Sequence, residues 1–161
     1  MAPNITGVAL IVVNKSGEVL MLQECETNPK HGKIAEQWSV PMETSREGES
    51  DAATLRRLLV EEIPGVAVAI EPLSFRSYEV VSDALVKLYI GSTDSFFLPS
   101  PDDFTDGVSG HCWLMPEQAT MLWLRRGAWE MLLDFKHGRR GSVRKTCRAV
   151  APLADQFLFK A

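Results

Sequence analysis

The sequence predicts an α/β sandwich, in which a mixed β-sheet is flanked on its faces by helices. Segments rich in β-branched residues, separated by turn residues, recur through the first two thirds of the chain. One segment with helical periodicity follows a short strand, and helical patterns return near the end. With 161 residues, 45% of them hydrophobic, the chain can bury one substantial core. We therefore expect a single domain over residues 1–161.

The first elements form a predicted β-hairpin. Ile5 to Val13 is rich in β-branched residues and runs into a turn at Asn14 to Gly17, after which Glu18 to Glu24 reads as a second strand. The polar segment Glu26 to Gln37 contains Pro and Gly, which is typical of a surface loop. Trp38 to Pro41 is then a short buried strand that ends at its proline.

An amphipathic helix is predicted to start after Ser50. Ser50 can cap the first turn, and Pro64-Gly65 ends the helix. Apolar residues recur at intervals of three or four and indicate the buried face, at Ala52, Leu55, Leu59 and Ile63.

The second half of the chain continues with strands and then helices. Ala67 to Val80, broken near Pro72, and Ala84 to Phe97 are predicted strands, and the long acidic loop Leu98 to Gly110 is a candidate lid. His111 to Met115 is a predicted short strand, and Pro116-Glu117 starts a helix. A second amphipathic segment covers Arg126 to Lys136, with apolar residues at Trp129, Leu132, Leu133 and Phe135.

Composition narrows the functional classes. The net charge is −4, although the segment Arg125 to Arg148 alone carries +6. The basic run Lys136 to Lys145 fits a solvated helix end, and it lacks the interleaved aromatic residues of a nucleic-acid surface, so nucleic-acid binding is disfavoured. The longest apolar run, Val8 to Val13, is too short to span a bilayer, so no membrane contact is expected. Three widely spaced cysteines without C-x-x-C pairing favour a reducing cytoplasm.

Two adjacent carboxylates near the helix end, Glu61 and Glu62, are the first chemical signal. Arg57 lies one turn earlier. Like charges this close repel, and solvent, an arginine or a divalent cation can offset the repulsion. Two carboxylates suit Mg²⁺, which prefers oxygen ligands, but a pair of glutamates is also typical of an ordinary solvated helix face. Both interpretations stay open on this pair alone.

The segment from Trp38, WSVPMETSREGESDAATLRRLLVEEIPGV, resembles the Nudix hydrolase box, G-x5-E-x7-R-E-U-x-E-E-x-G-U, preceded by a W-x-x-P strand. Glu49 falls on the first Glu of the box, Arg57 on the Arg, Leu59 on the aliphatic position and Glu61-Glu62 on the E-E pair. The predicted order of elements and the segment Trp113 to Glu117 extend the resemblance along nearly the whole chain. It implies a Nudix-like α/β/α sandwich.

The resemblance also implies a chemistry. Nudix hydrolases use Mg²⁺ or Mn²⁺ to cleave a pyrophosphate bond in a nucleoside diphosphate linked to another moiety. By resemblance, the metal ligands are Glu61 and Glu62, with a backbone carbonyl from Glu43. Glu62, Arg57 and Glu49 are the expected catalytic residues, with Arg57 orienting the glutamates and Glu49 acting as a structural or ligand carboxylate. The expected partner is a nucleotide or another phosphorylated small molecule, and exposed strand edges allow a homodimer.

The box is degenerate at four positions. Met42-Glu43 replaces the Gly-Gly of the family, Pro64 replaces the Gly after E-E, and Leu58 replaces a third carboxylate. Fewer negative ligands weaken the binding of a hard cation, so we expect weakened activity. The alternatives are a catalytically inactive nucleotide-binding or regulatory module and, third, a structural partner without a small ligand. Four acidic residues are candidate substitutes for the missing carboxylate: Glu43, Asp102, Asp103 and Asp106.

Overall fold

The computed structural model describes residues 5–95 and 108–145. The strands are β1 (Ile5–Val13), β2 (Val19–Glu24), β3 (Trp38–Ser39), β4 (Met42–Thr44), β5 (Ala69–Ile70), β6 (Ser77–Val81), β7 (Ala84–Ser92) and β8 (Val108–Leu114). The α-helices are α1 (Asp51–Glu61), α2 (Pro116–Ala119) and α3 (Ala128–Lys145), and a short 3₁₀ turn covers Pro29–His31. The residues of the predicted acidic lid from Leu98 to Gly107, including Asp102, Asp103 and Asp106, lie outside the described part.

The described strands form one mixed sheet with β1 at its centre. β1 runs parallel to β7 along its whole length, from Ile5 opposite Ala84 to Val13 opposite Ser92. β4 pairs antiparallel with β1, and the pairs β2 with β8 and β6 with β7 are also antiparallel. Because parallel neighbours need a long crossover, the chain has room for α1 between β1 and β7.

Both faces of this sheet are buried, as the alternation along β1 shows. Val8, Leu10 and Val12 belong to one apolar cluster, together with Leu55 and Leu58 of α1. The intervening residues of β1 belong to a second cluster on the other face, which includes Met131, Leu132 and Phe135 of α3. The predicted sandwich of a mixed sheet between helices is confirmed.

Several predicted boundaries shift. The hairpin is present, but β1 and β2 are paired at only one position, Val13 opposite Val19, while β4 pairs with Gly7 to Ala9 of β1 and β7 pairs with β1 along its whole length. β8 begins at Val108 rather than at His111. α3 extends to Lys145, and Trp129 is an exposed residue of that helix rather than part of its buried side.

The buried face of α1 differs from the predicted one. The helix ends are as expected, since the Ser50 side chain accepts a hydrogen bond from the Ala53 N–H and Gly65 follows with a positive φ. However, Ala52 is exposed, and the buried positions of the helix are Thr54, Leu55 and Leu58. The predicted stripe is confirmed at Leu55 and Ile63, with Leu59 partly buried against the same cluster, and the buried side of the helix is turned from Ala52 towards Leu58. No helix in the described ranges is long and apolar enough to cross a membrane.

Candidate functional site

A cleft of about 340 Å³ opens beside the C-terminal end of α1. Its walls come from β4 and the loop after it, the loop that contains the 3₁₀ turn, parts of β6 and β7, and the segment that precedes α3. The charged side chains in its lining are Lys30, Lys33, Arg46, Arg57, Arg125, Glu43 and Glu62. The cleft is thus polar and contains more cationic than anionic side chains.

Arg57 holds together the acidic residues of the box. Its Nη2 lies 2.8 Å from Oε1 of Glu49, and its Nε lies 3.3 Å from Oε2 of the same carboxylate. Nη1 lies 2.9 Å from Oε1 of Glu43 and 3.6 Å from Oε2 of Glu61. Nη2 also donates to the Thr44 carbonyl at 2.6 Å. This forked geometry suits a guanidinium, and it brings Arg57 into contact with three glutamates, Glu43, Glu49 and Glu61.

Glu49 is fixed as an anion by this contact. Hydrogen bonds from Arg57 and from the Thr54 hydroxyl, which lies 2.6 Å from Oε1, lower the pKa of Glu49 to about 2. A carboxylate this strongly held is suited to position its neighbours and not to exchange a proton at neutral pH.

Replacing Arg57 with alanine should lower the melting temperature by several degrees at pH 7, because Glu43 and Glu49 lose their shared partner. A depressed pKa stabilises the fold above pH 4.5, and this stabilisation is lost as the pH falls towards 2. The difference in melting temperature between Arg57→Ala and the parent should therefore shrink as the pH falls from 4.5 towards 2. Arg56→Ala, an exposed arginine on the same helix, is the matched control. Equal melting temperatures for all three proteins at pH 7 would contradict the contact.

Glu62 stands apart from that cluster. It caps the C-terminus of α1, four residues after the buried Leu58, so it continues the inward side of the helix. The Glu61 side chain instead lies on the Arg57 side and is 44% exposed. Burial raises the pKa of Glu62 to about 7; Lys33 lowers it, and Glu43 adds to the rise. Glu62 therefore holds its proton to a higher pH than an exposed glutamate does.

The backbone of Glu43 belongs to a strand and not to a loop. Glu43 lies opposite Val8 in the β1–β4 pair. A Cβ added to Gly7 would lie 2.5 Å from the Glu43 carbonyl oxygen, so only glycine fits there. The carbonyl that the resemblance assigned to a metal thus sits against β1.

The donor set does not form a protein-only metal cage. Among residues 5–95 and 108–145, no group of three or more His, Cys, Asp or Glu side chains is arranged to hold a metal ion. Leu58, in the position of the third carboxylate, is 0% exposed in the core. The residues fit a divalent cation only if it is shared, because Mg²⁺ can take one or two carboxylates when substrate phosphates and water complete its coordination.

The basic residues along one wall of the cleft are not visible in the sequence pattern. Lys30, Lys33 and Arg125 carry no motif, and the neighbouring His31 contributes a backbone carbonyl that accepts a hydrogen bond from Arg125. In the sequence, Arg125 and Arg126 are neighbours in one basic segment. Their separation in space, with Arg125 buried and Arg126 exposed, is not visible in the pattern.

Comparison with known proteins gives one family. The model of the NUDIX domain matches residues 3–135. No curated protein matches the sequence significantly.

Solved structures with the same fold include three informative ones. A NUDIX hydrolase from Nitrosomonas europaea is 19% identical, with a TM-score of 0.63 over 83% of this chain and 89% of that one. The NUDIX domain of Shewanella oneidensis NrtR, complexed with ADP ribose, is 12% identical, with a TM-score of 0.63 over 85% and 89%. A C. elegans Ap4A hydrolase is 18% identical, with a TM-score of 0.62 over 85% and 98%. At such identities the likeness concerns the fold.

Proposed function

The chain belongs to the NUDIX domain family, and on that premise we propose that it is a weakened pyrophosphohydrolase acting on a nucleoside diphosphate linked to another moiety. The single observation that carries the proposal is Glu62. It lies in the cleft at the end of α1, and burial raises its pKa to about 7. A general base works best when its pKa lies near the working pH, so Glu62 is suited to take a proton from an attacking water.

The other box residues have supporting roles in this proposal. Arg57 holds Glu43 and Glu49 in place through contacts of 2.8–2.9 Å, which fixes the wall of the cleft next to Glu62. The family generally uses divalent metal ions, and Mg²⁺ or Mn²⁺ entering with the nucleotide would have Glu61 as its protein ligand, which leaves Glu62 free to act as the base. When bound, such an ion neutralises charge on the phosphate oxygens.

The rate is expected to be low because one carboxylate is missing. Leu58 packs in the core and supplies no negative charge to the cleft, and affinity for hard cations depends on the number of charged ligands. Two of the structural neighbours, whose names include ADP ribose and Ap4A, suggest these compounds as first substrates to test.

The test is turnover by the full chain with Mg²⁺ or Mn²⁺ on a panel of such nucleotides, with products resolved by chromatography. We expect slow, metal-dependent hydrolysis. Glu62→Gln should reduce its rate by about a hundredfold or more, since the neutral amide of glutamine cannot accept the proton. Glu130→Gln, on the exposed side of α3, should leave the rate unchanged. Absence of turnover across the panel, or a Glu62→Gln enzyme as active as its parent, would refute the hydrolase.

A second candidate function is a nucleotide-binding or regulatory module without catalysis. The observation that favours it is the engagement of Glu43, Glu49 and Glu61 by Arg57, because these carboxylates are then neutralised by an arginine instead of a metal. Ligands that bind the folded state raise its melting temperature. Stabilisation by ADP-ribose in a chelator, without product formation in Mg²⁺, would identify this module.

A further inference from the structure

A buried arginine, Arg125, lines the cleft. Arg125 is 6% exposed, and its Nη1 lies 3.5 Å from Oε1 of Glu24. Nη2 donates to the His31 carbonyl. Within the described residues, Nε has no hydrogen-bond partner. An unpaired buried donor is costly, and this one belongs to a side chain that lines the cleft.

Lysines surround this arginine. Lys33 Nζ lies 3.6 Å from Oε2 of Glu24, the same carboxylate that Arg125 contacts, so one buried anion serves two cations. Lys30 and Lys33 both line the cleft, and so do the carboxylates Glu62 and Glu43. We call the wall formed by Lys30, Lys33 and Arg125 the cationic wall. Arg57 already engages Glu43, so Glu43 does not balance this wall. The cationic wall therefore carries more positive charge than its own carboxylates balance.

We propose that the cationic wall binds a phosphate or pyrophosphate group of the ligand directly, without a divalent cation. Arg125 and Lys33 donate hydrogen bonds to the phosphate oxygens, and Lys30 adds charge at the rim. Phosphate oxygens are strong acceptors for guanidinium and ammonium donors. The inference rests on the proposed function only in placing the ligand's phosphates in this cleft, and it does not require hydrolysis.

The test is a calorimetric titration of the full chain with inorganic pyrophosphate in EDTA, which measures the Kd. We expect binding in EDTA, with Lys33→Met raising the Kd by about tenfold, the loss expected for one charge-assisted hydrogen bond. Methionine keeps the length of the apolar stem, and Lys33 is partly exposed, so folding should be preserved. Lys15→Met, an exposed lysine that pairs with Asp94 outside the cleft, should bind as the parent does. Arg125→Lys serves as a second variant if it folds, and it should also raise the Kd.

The outcomes separate this inference from the proposed function. Binding in EDTA that depends on Lys33 supports the cationic wall even if no nucleotide is ever hydrolysed. Absence of pyrophosphate binding in EDTA, with hydrolysis intact in Mg²⁺, overturns the cationic wall and leaves the hydrolase standing. An unchanged Kd in Lys33→Met also overturns it.

Discussion

Restoring the family's third carboxylate by Leu58→Glu is expected to destabilise the protein severely and not to repair its metal site. Leu58 is 0% exposed and belongs to the apolar cluster that packs α1 against β1. Even the milder Leu58→Ala should cost about 2–5 kcal/mol of unfolding free energy, through lost transfer energy and a residual cavity. A glutamate there must also be desolvated or protonated, so its cost should exceed that of alanine.

Urea denaturation at pH 7 measures both variants, with Val60→Ala as the control. Val60 lies on the same helix and is 70% exposed, so its truncation should change the free energy by less than about 0.5 kcal/mol. A Leu58→Glu protein as stable as its parent that also takes up Mg²⁺ would show that this position can face the cleft. In that case the rotation of α1 described above would be wrong.

Glu62→Gln is expected to stabilise the protein above pH 7. The pKa of Glu62 is raised from 4.5 to about 7 by burial. The carboxyl is protonated in both folded and unfolded states below about pH 4.5, and its favourable contribution is fully present there. As the pH rises to about 7, the unfolded chain releases the proton before the folded one does, so stability is lost across this window.

The size of that loss follows from the shift. One pKa unit corresponds to about 1.4 kcal/mol, and partial exposure of Glu62 reduces the effect, so we expect a loss of about 1–3 kcal/mol between pH 4.5 and 7. Glutamine does not ionise and should remove this pH dependence. Urea denaturation at pH 5 and pH 8 tests it, with Glu130→Gln as the matched control. If the parent and Glu62→Gln lose stability equally between these two pH values, Glu62 is not the buried group that the structure describes.

Local signals in the sequence determined the elements and the register of the box. Ser50 and Pro64-Gly65 fixed the ends of α1, since capping hydrogen bonds and backbone preferences act within a few residues. Spacing placed Glu49 eight residues before Arg57, and the structure brings them into a forked ion pair. The resemblance to the Nudix family was confirmed by the family model. The roles assigned to the site residues remain predictions.

Only the tertiary structure decided which way these side chains point. Leu58 and Leu59 are equally apolar neighbours, and spacing favoured Leu59; both contact the same apolar cluster, but Leu58 is the fully buried one, and Glu62 one turn later lines the cleft. Glu61 contacts Arg57 at 3.6 Å, whereas its neighbour Glu62 lines the cleft. Arg125 reaches the cleft from a distant part of the chain. The local pattern indicates the buried side of a helix only approximately, because the final orientation and the long-range contacts depend on the whole core.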